Sequence, residues 1–308
     1  MFTIFLGLTP FIFITFLGFI FAKLKVLDLS HAKILNLFLF YVAVPALIIK
    51  LIAQNEIGQV DFKQILSYLI MQSICGIIAY LITSKYFKRS IPESIIWALT
   101  VALSNHVTLL LPITEIYFQQ NVITQVATII LMDGVILLSI IAFFLELSTK
   151  KNLKLFTFTK NLILNPFILS IIIGFLFLLF NLNINQTPVD YTLSKLAACV
   201  SPVGLFAIGI ILSFYTKNVI NKLSVSISLL KLIISPIILL LIGLVFFNAG
   251  LPAEIPGAFF VSVAPCGVTS IVLCAAYNVS PENIIKAIFV STIASIGTIF
   301  FAIQYLTL

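Results

Sequence analysis

Apolar runs of about twenty residues follow one another from the start of this chain to its end, and each is long enough to cross the ~30 Å of hydrocarbon in a bilayer. Few folds are open to such a chain. Inside hydrocarbon no water pairs with the backbone, so a spanning segment is either a helix or part of a closed barrel. Unbroken runs of this length, without strict alternation, predict helices. Composition points the same way: of 308 residues, 61% are hydrophobic and 9% charged, with a mean hydropathy of +1.23. That charge is too sparse to cover a soluble surface. The predicted fold class is therefore all-α integral membrane, with the lipid bilayer as its first partner.

A net charge of +7 would suit nucleic acid if the basic residues formed one patch. They sit instead in short connections, so no nucleic acid is expected. Cys75, Cys199, Cys266 and Cys274 lie within apolar segments at no ligand spacing and read as small core residues. Two histidines exclude a histidine-rich metal site, and no metal or cofactor is implied. The run from Phe2 to Ala22 has its lysines after it, at 23 and 25, and reads as a membrane helix, not a cleaved signal.

Breaks in hydropathy predict ten spans, over 2–22, 32–53, 63–84, 92–119, 122–147, 161–181, 191–214, 223–248, 253–278 and 282–305. Thirteen of the 17 Lys and Arg residues fall in or beside alternate connections, at 23–33, 85–89, 150–160, 217–222 and 286. Basic connections stay in the cytoplasm, so both termini are expected on the other side of the cell (inner) membrane. Residues 1–148 and 161–308 form two halves of five spans, joined by a basic cytoplasmic connector over 149–160. Pro10, Pro45 and Pro112 of the first half match Pro166, Pro202 and Pro265 of the second, while Pro236 has no counterpart. Five is odd, so the halves insert with opposite topology, as in transporters whose access alternates about a midplane site.

The fourth span carries Ser104, Asn105, His106 and Thr108 at mid-depth, with Pro112 next. Proline removes a backbone donor and clashes with the turn before it. The ninth span carries Pro265 and Gly267, with Thr269 and Ser270 beside them. Interrupted helices in corresponding positions point to a binding site, and half-helix N-termini suit a carboxylate. Two kinked helices sealed by their neighbours would give the same pattern.

Three stretches, LNLFLFYVAVPALI around Pro45, SNHVTLLLP over 104–112 and APCGVTSIVLCAAY over 264–277, are similar to the auxin efflux carrier family. That family includes plant PIN-FORMED carriers and bacterial malate or malonate permeases. The resemblance covers the whole chain. It implies two inverted five-helix repeats, in which helices one, two, six and seven form a scaffold. The others form a transport domain in which helices four and nine cross at their breaks, as in elevator-type carriers. Asn105 falls on the family's crossover asparagine, and Pro112 and Pro265 on its crossover prolines. The chain departs from the family at His106 and Val107, where glycines are usual, and at Thr269 or Ser270, near where plant carriers have asparagine.

The expectation is a secondary transporter of small organic anions, mono- or dicarboxylates, with Asn105, His106, Thr108, Pro112, Pro265, Gly267, Thr269 and Ser270 as substrate-binding residues. A sodium-coupled carrier of the bile-acid-symporter type and a membrane anion sensor are the alternatives. No enzyme is expected, since neither H-E-x-x-H nor G-x-S-x-G occurs. Asp133 lies mid-way along the fifth span. A central carboxylate costs ~3 kcal/mol, which about fifteen apolar neighbours at roughly −0.5 kcal/mol each outweigh, so the span inserts regardless. Asp133 and His106 are the coupling candidates, for protons ahead of sodium, and a structural acid paired to His106 or Lys231 is the competing reading. A homodimer is compatible with the sequence. Lys231 is expected to snorkel toward the cytoplasm, Glu115 to be interfacial, and Trp97 and Tyr117 to anchor at the interface. Ser291, Ser295 and Thr298 share a face, expected against the fifth span or the cavity.

Overall fold

The computed structural model describes residues 2–54, 61–149, 159, 163–182, 184–248 and 251–307, and most of the expected connector over 149–160 lies outside them. The chain is 84% helix, without strands among the described residues. The helices are α1 (Phe2–Lys23), α2 (Leu29–Gln54), α3 (Phe62–Tyr86), α4 (Ile91–Ala102), α5 (Leu111–Tyr117), α6 (Gln120–Thr149), α7 (Pro166–Leu179), α8 (Pro188–Phe214), α9 (Lys222–Phe247), α10 (Pro256–Ser262), α11 (Thr269–Ala276) and α12 (Glu282–Thr307). Seven of them, α1, α2, α3, α6, α8, α9 and α12, are long and apolar enough to cross a membrane. The predicted fourth, sixth and ninth spans are not among the seven. Shorter helices cover them: α4 and α5, then α7, then α10 and α11.

Polar side chains set the helix ends. Asp28, Asp61, Ser90, Asn165, Thr187 and Asn221 each accept from a first-turn N–H of the helix that follows. After helices, Asn181, Asn218, Asn248 and Asn278 take left-handed backbone, the conformation that closes a C-terminus.

Three prolines share a local device. Pro45, Pro112 and Pro236 each stand two residues beyond a π-helical turn, at Leu39–Ala43, His106–Leu110 and Leu230–Ile234. A proline ring clashes with the carbonyl four residues back and cannot bond to it. The wider turn relieves that clash, and the helix runs on. Pro10 lies inside α1 and Pro166 opens α7, so this matched pair does not share a local role.

Two groups of helices pack internally. Helices α1, α2, α7 and α8 contact one another, and α3, α4, α6 and α9–α12 form the second group. In the first group α1 and α8 touch through backbone. A methyl at Gly18 would stand 2.1 Å from the Phe206 carbonyl oxygen, and one at Gly209 would stand 2.0 Å from that of Thr15. Small residues allow such approach, which lets dispersion hold helices together in lipid. Gly209→Val should therefore separate α1 from α8, at about 1–3 kcal/mol for overpacking. The expected result is a lower thermal midpoint in detergent, and an unchanged midpoint would contradict the contact.

Candidate functional site

Helices α4 and α10 both stop at mid-chain positions in their segments, and the residues after them meet. Leu103 leaves α4 in extended backbone, and Ser104 pairs with Cys266 as an isolated antiparallel bridge. Asn105 N–H donates to the Pro265 carbonyl at 3.0 Å, and Gly267 N–H to that of Leu103 at 2.8 Å. The fourth-span break thus lies at 103–105, two turns before Pro112, because the π turn at His106–Leu110 absorbs the proline. Gly267 has no room for a side chain: a methyl there would lie 2.8 Å from the Leu103 oxygen and 2.9 Å from its Cβ.

Helices around the crossing satisfy the groups it frees. Ser104 Oγ donates to the Val261 carbonyl (2.9 Å), Gln72 Nε2 to that of Ala102 (3.2 Å) and Thr298 Oγ1 to that of Val263 (2.8 Å). Cys266 N–H donates to Ser291 Oγ at 3.2 Å. At the start of α10, Gly257 N–H donates to Gln125 Oε1 and Ala258 N–H to Gln64 Oε1. Unpaired, each such group would cost several kcal/mol at this depth.

Three expectations are corrected here. Lys231 does not snorkel. It is fully buried, and its Nζ donates to Ser104 Oγ at 2.7 Å, because the π turn of α9 carries it against the crossing. Trp97 is fully buried in the core, where its indole N–H reaches Glu93 Oε1 at 3.5 Å, so it is not an interfacial anchor. Ser291 and Thr298 bond to the ninth-span break instead of facing the fifth span, since that break leaves backbone groups in want of partners. Glu115 is exposed.

Asp133 is buried at the start of a second kind of π turn, Asp133–Leu137, which no proline requires. Such turns are frequent at functional sites. Its Oδ1 accepts from Gln72 Nε2 at 2.5 Å, and its Oδ2 accepts from the Tyr68 hydroxyl at 3.3 Å and pairs with His106 Nε2 at 2.8 Å. Asp133 is therefore bonded to His106 and not to Lys231. Its carboxyl is ringed by donors, which suits the acceptor-only ionised form. His106 Nδ1 is buried and has no partner among the described residues. Sequence reasoning missed Gln72 and Tyr68. The signal was present, because Gln64, Tyr68 and Gln72 recur every four residues on one face of the third span.

A cavity of about 110 Å³ opens beside the crossing. Asn105, His106, Thr108, Thr269 and Asp133 line one side. Phe40, Val44, Phe167, Ile208 and Ile211, from the first helix group, line the other. Thr108 hydroxyl donates to Asn105 Oδ1, which commits the amide oxygen. Pro265, Gly267 and Ser270 build the crossing and do not line the cavity, and Pro112 does not line it either. A larger cavity of about 320 Å³, between α1, α8 and α12, is almost wholly apolar and offers no comparable chemistry.

The Ser104 contact can be tested through stability. Ser104→Ala leaves the Lys231 ammonium without its acceptor, and a hydrogen bond to a charged group is worth about 1.5–3 kcal/mol. The expected outcome is a loss of that size in detergent denaturation, largely recovered by adding Lys231→Met. Additive losses would mean that the pair is not coupled.

A comparison with curated proteins returns no match. A family model described as membrane transport protein matches residues 3–303, nearly the whole chain, and the family is one of transporters and not of enzymes. With a multi-pass helical fold, two broken segments meeting at depth and that match along its length, the chain belongs to the membrane transport protein family, that of the auxin efflux carriers.

Proposed function

We propose that this transporter carries small organic anions by alternating access, with the cavity at the crossing as its central site. The observation that carries this reading is the composition of the cavity wall. The segments that begin at His106 and Thr269 bring their first residues to the cavity wall together with Asn105, and a helix N-terminus carries about half a positive charge. The opposite wall belongs to the other helix group, so relative movement of the groups would remake the site on each face. In this reading the chain has ten spans in two inverted halves, with both termini outside. The first group is the scaffold, and the second moves elevator-like.

The lining also favours one class of anion. Its polar groups gather at one side, the other side is apolar and aromatic apart from the neutral Asn36 amide, and no Lys or Arg lines it. A monocarboxylate with an apolar body fits this asymmetry, whereas a second carboxylate would be desolvated without a partner. The volume is of the order of a cavity that takes benzene, about 150 Å³. Sodium coupling is disfavoured because Lys231 Nζ already sits at the crossing, on Ser104 Oγ.

Counterflow in vesicles of purified protein, with labelled mono- and dicarboxylates of matched size, tests the reading. Monocarboxylates should exchange at least tenfold faster, and equal rates would remove the size-and-charge argument. Asn105→Ala should weaken affinity by about 10- to 100-fold, the equivalent of about 1.5–3 kcal/mol for a charge-assisted hydrogen bond, with normal expression. Unchanged uptake and affinity would move the site elsewhere. Topology has its own check: a cysteine at Asn218 should react only from the cytoplasm and one at Asn185 only from outside. Labelling of both from one face would overturn the inverted arrangement.

A further inference from the structure

The interior charges around the cavity do not suit an anion as they stand. Asp133 lines the cavity, and a carboxylate repels a second one. Lys231 is the opposite fixed charge, but it lies behind the crossing, tied to Ser104. With His106 neutral these two balance, and an incoming monocarboxylate would leave the buried site with an uncompensated negative charge. Such a charge in a dry interior costs far more than thermal energy. One proton would restore neutrality.

The His106 ring is where that proton fits. An ionised Asp133 accepts from Nε2–H at 2.8 Å, so the neutral ring carries its proton on Nε2 and a bare lone pair on Nδ1. That Nδ1 is a buried polar atom without a partner, in a ring that lines the cavity. Neutral, it is no donor and cannot hold a carboxylate. Protonated, it becomes a cationic N–H donor at the polar side of the site.

Resting on the anion-carrier reading above, we propose that a monocarboxylate and one proton bind together, the proton moving from water onto Nδ1 of His106 while Asp133 holds the ring through Nε2. The ionisable groups around the ring are few. Asp133 comes from α6, Tyr68 from α3 through Asp133, and Lys231 from α9 through Ser104. The residues of α2, α7, α8 and α11 that line the cavity are all neutral. Only the proton changes bonds: an O–H bond of hydronium breaks as Nδ1–H forms, water is left, and on the far side the reverse transfer releases the proton with the substrate. Transport of a monocarboxylate is then electroneutral, one proton per anion.

The chain has two histidines, His31 and His106, so His31→Gln leaves a single ring to observe. Nitrogen-15 histidine spectra of that full-length variant in detergent should show the Nε2–H tautomer in the free protein. Both nitrogens should be protonated once it is saturated with a bound probe from acetate, butyrate, benzoate and phenylacetate. In weakly buffered medium at pH 8, an indicator dye should register one proton taken up per anion bound. Where the free ring is neutral, affinity should fall about tenfold per pH unit. His106→Gln keeps a donor toward Asp133 but cannot titrate, and should lose at least tenfold in affinity at pH 6, with no proton uptake and a flat pH profile for the binding that is left. An Nδ1–H tautomer in the free protein, a neutral ring at saturation, or binding without a proton overturns the proposal and leaves the anion-carrier reading intact. If no probe binds at any pH, the monocarboxylate reading falls and this proposal with it.

Discussion

Two backbone hydrogen bonds, Asn105 N–H to Pro265 and Gly267 N–H to Leu103, set the terms for the rest of this molecule. Breaking a helix at membrane depth frees N–H and C=O groups where water is scarce, at several kcal/mol for each one left unpaired. A lone break would have to recruit side chains for all of them. Two breaks brought together pair part of their backbone with each other, as a two-residue fragment of sheet. The Gln72 amide of α3 and the Ser291 and Thr298 hydroxyls of α12 need only complete the set, while Lys231 of α9 holds Ser104. The polar residues of those helices are thus fixed by the crossing, and the cavity lies beside it.

The seam between the helix groups has the opposite character. Within the first group, glycines let α1 and α8 touch backbone to backbone. Between the groups lie both cavities, one on each flank of the 106–117 segment. Contacts missing across a void contribute no dispersion energy, so the seam is held less firmly than either group. Thr108 is an exception, packed close to Gly204 of α8, which ties the cavity-lining segment to the first group. On the alternating-access reading, a site shared across such a seam changes its opening without rebuilding either wall.

Hydropathy made the helical class legible, the stretches around Pro45, over 104–112 and over 264–277 carried the family resemblance, and the breaks were marked by Pro265, Gly267 and the polar run after Leu103. What the sequence obscured was local response and distant pairing. Pro112 looked like the break, yet a π turn costs the helix less than an open end, so the break settled earlier, at 103–105. The Lys231 to Ser104 contact spans 127 positions and leaves no periodicity to read. Snorkelling was the reasonable expectation for a lysine two turns inside a span, and the crossing's demand for a donor overrode it. Trp97 was misplaced for a related reason: a span broken at mid-depth packs its first half inside the bundle, where an indole finds its acceptor on Glu93 one turn away. Asp133 was visible, but its partners Gln72 and Tyr68 were not sought, although their four-residue spacing marks a polar face on α3.

The placement of the two interior charges follows from helix polarity. Helices α4 and α10 bring their carboxyl ends to the crossing, and Lys231 reaches those ends through Ser104, whose hydroxyl donates to Val261 in the last turn of α10. The segments beginning at His106 and Thr269 bring amino ends, and Asp133 sits by the first of these through the imidazole. Each of these two side chains therefore lies against helix ends of the sign that favours its ionised form, an arrangement worth up to about 2 kcal/mol when partly buried. Gln72 joins the two sides, donating both to Asp133 and to the Ala102 carbonyl that ends α4. On the anion-carrier reading, an anion meets amino ends beside the cavity, screened from Asp133 by a ring that can carry charge. In that reading selectivity for sign arises from the direction in which four helix segments run, and the side chains refine what the backbone has set.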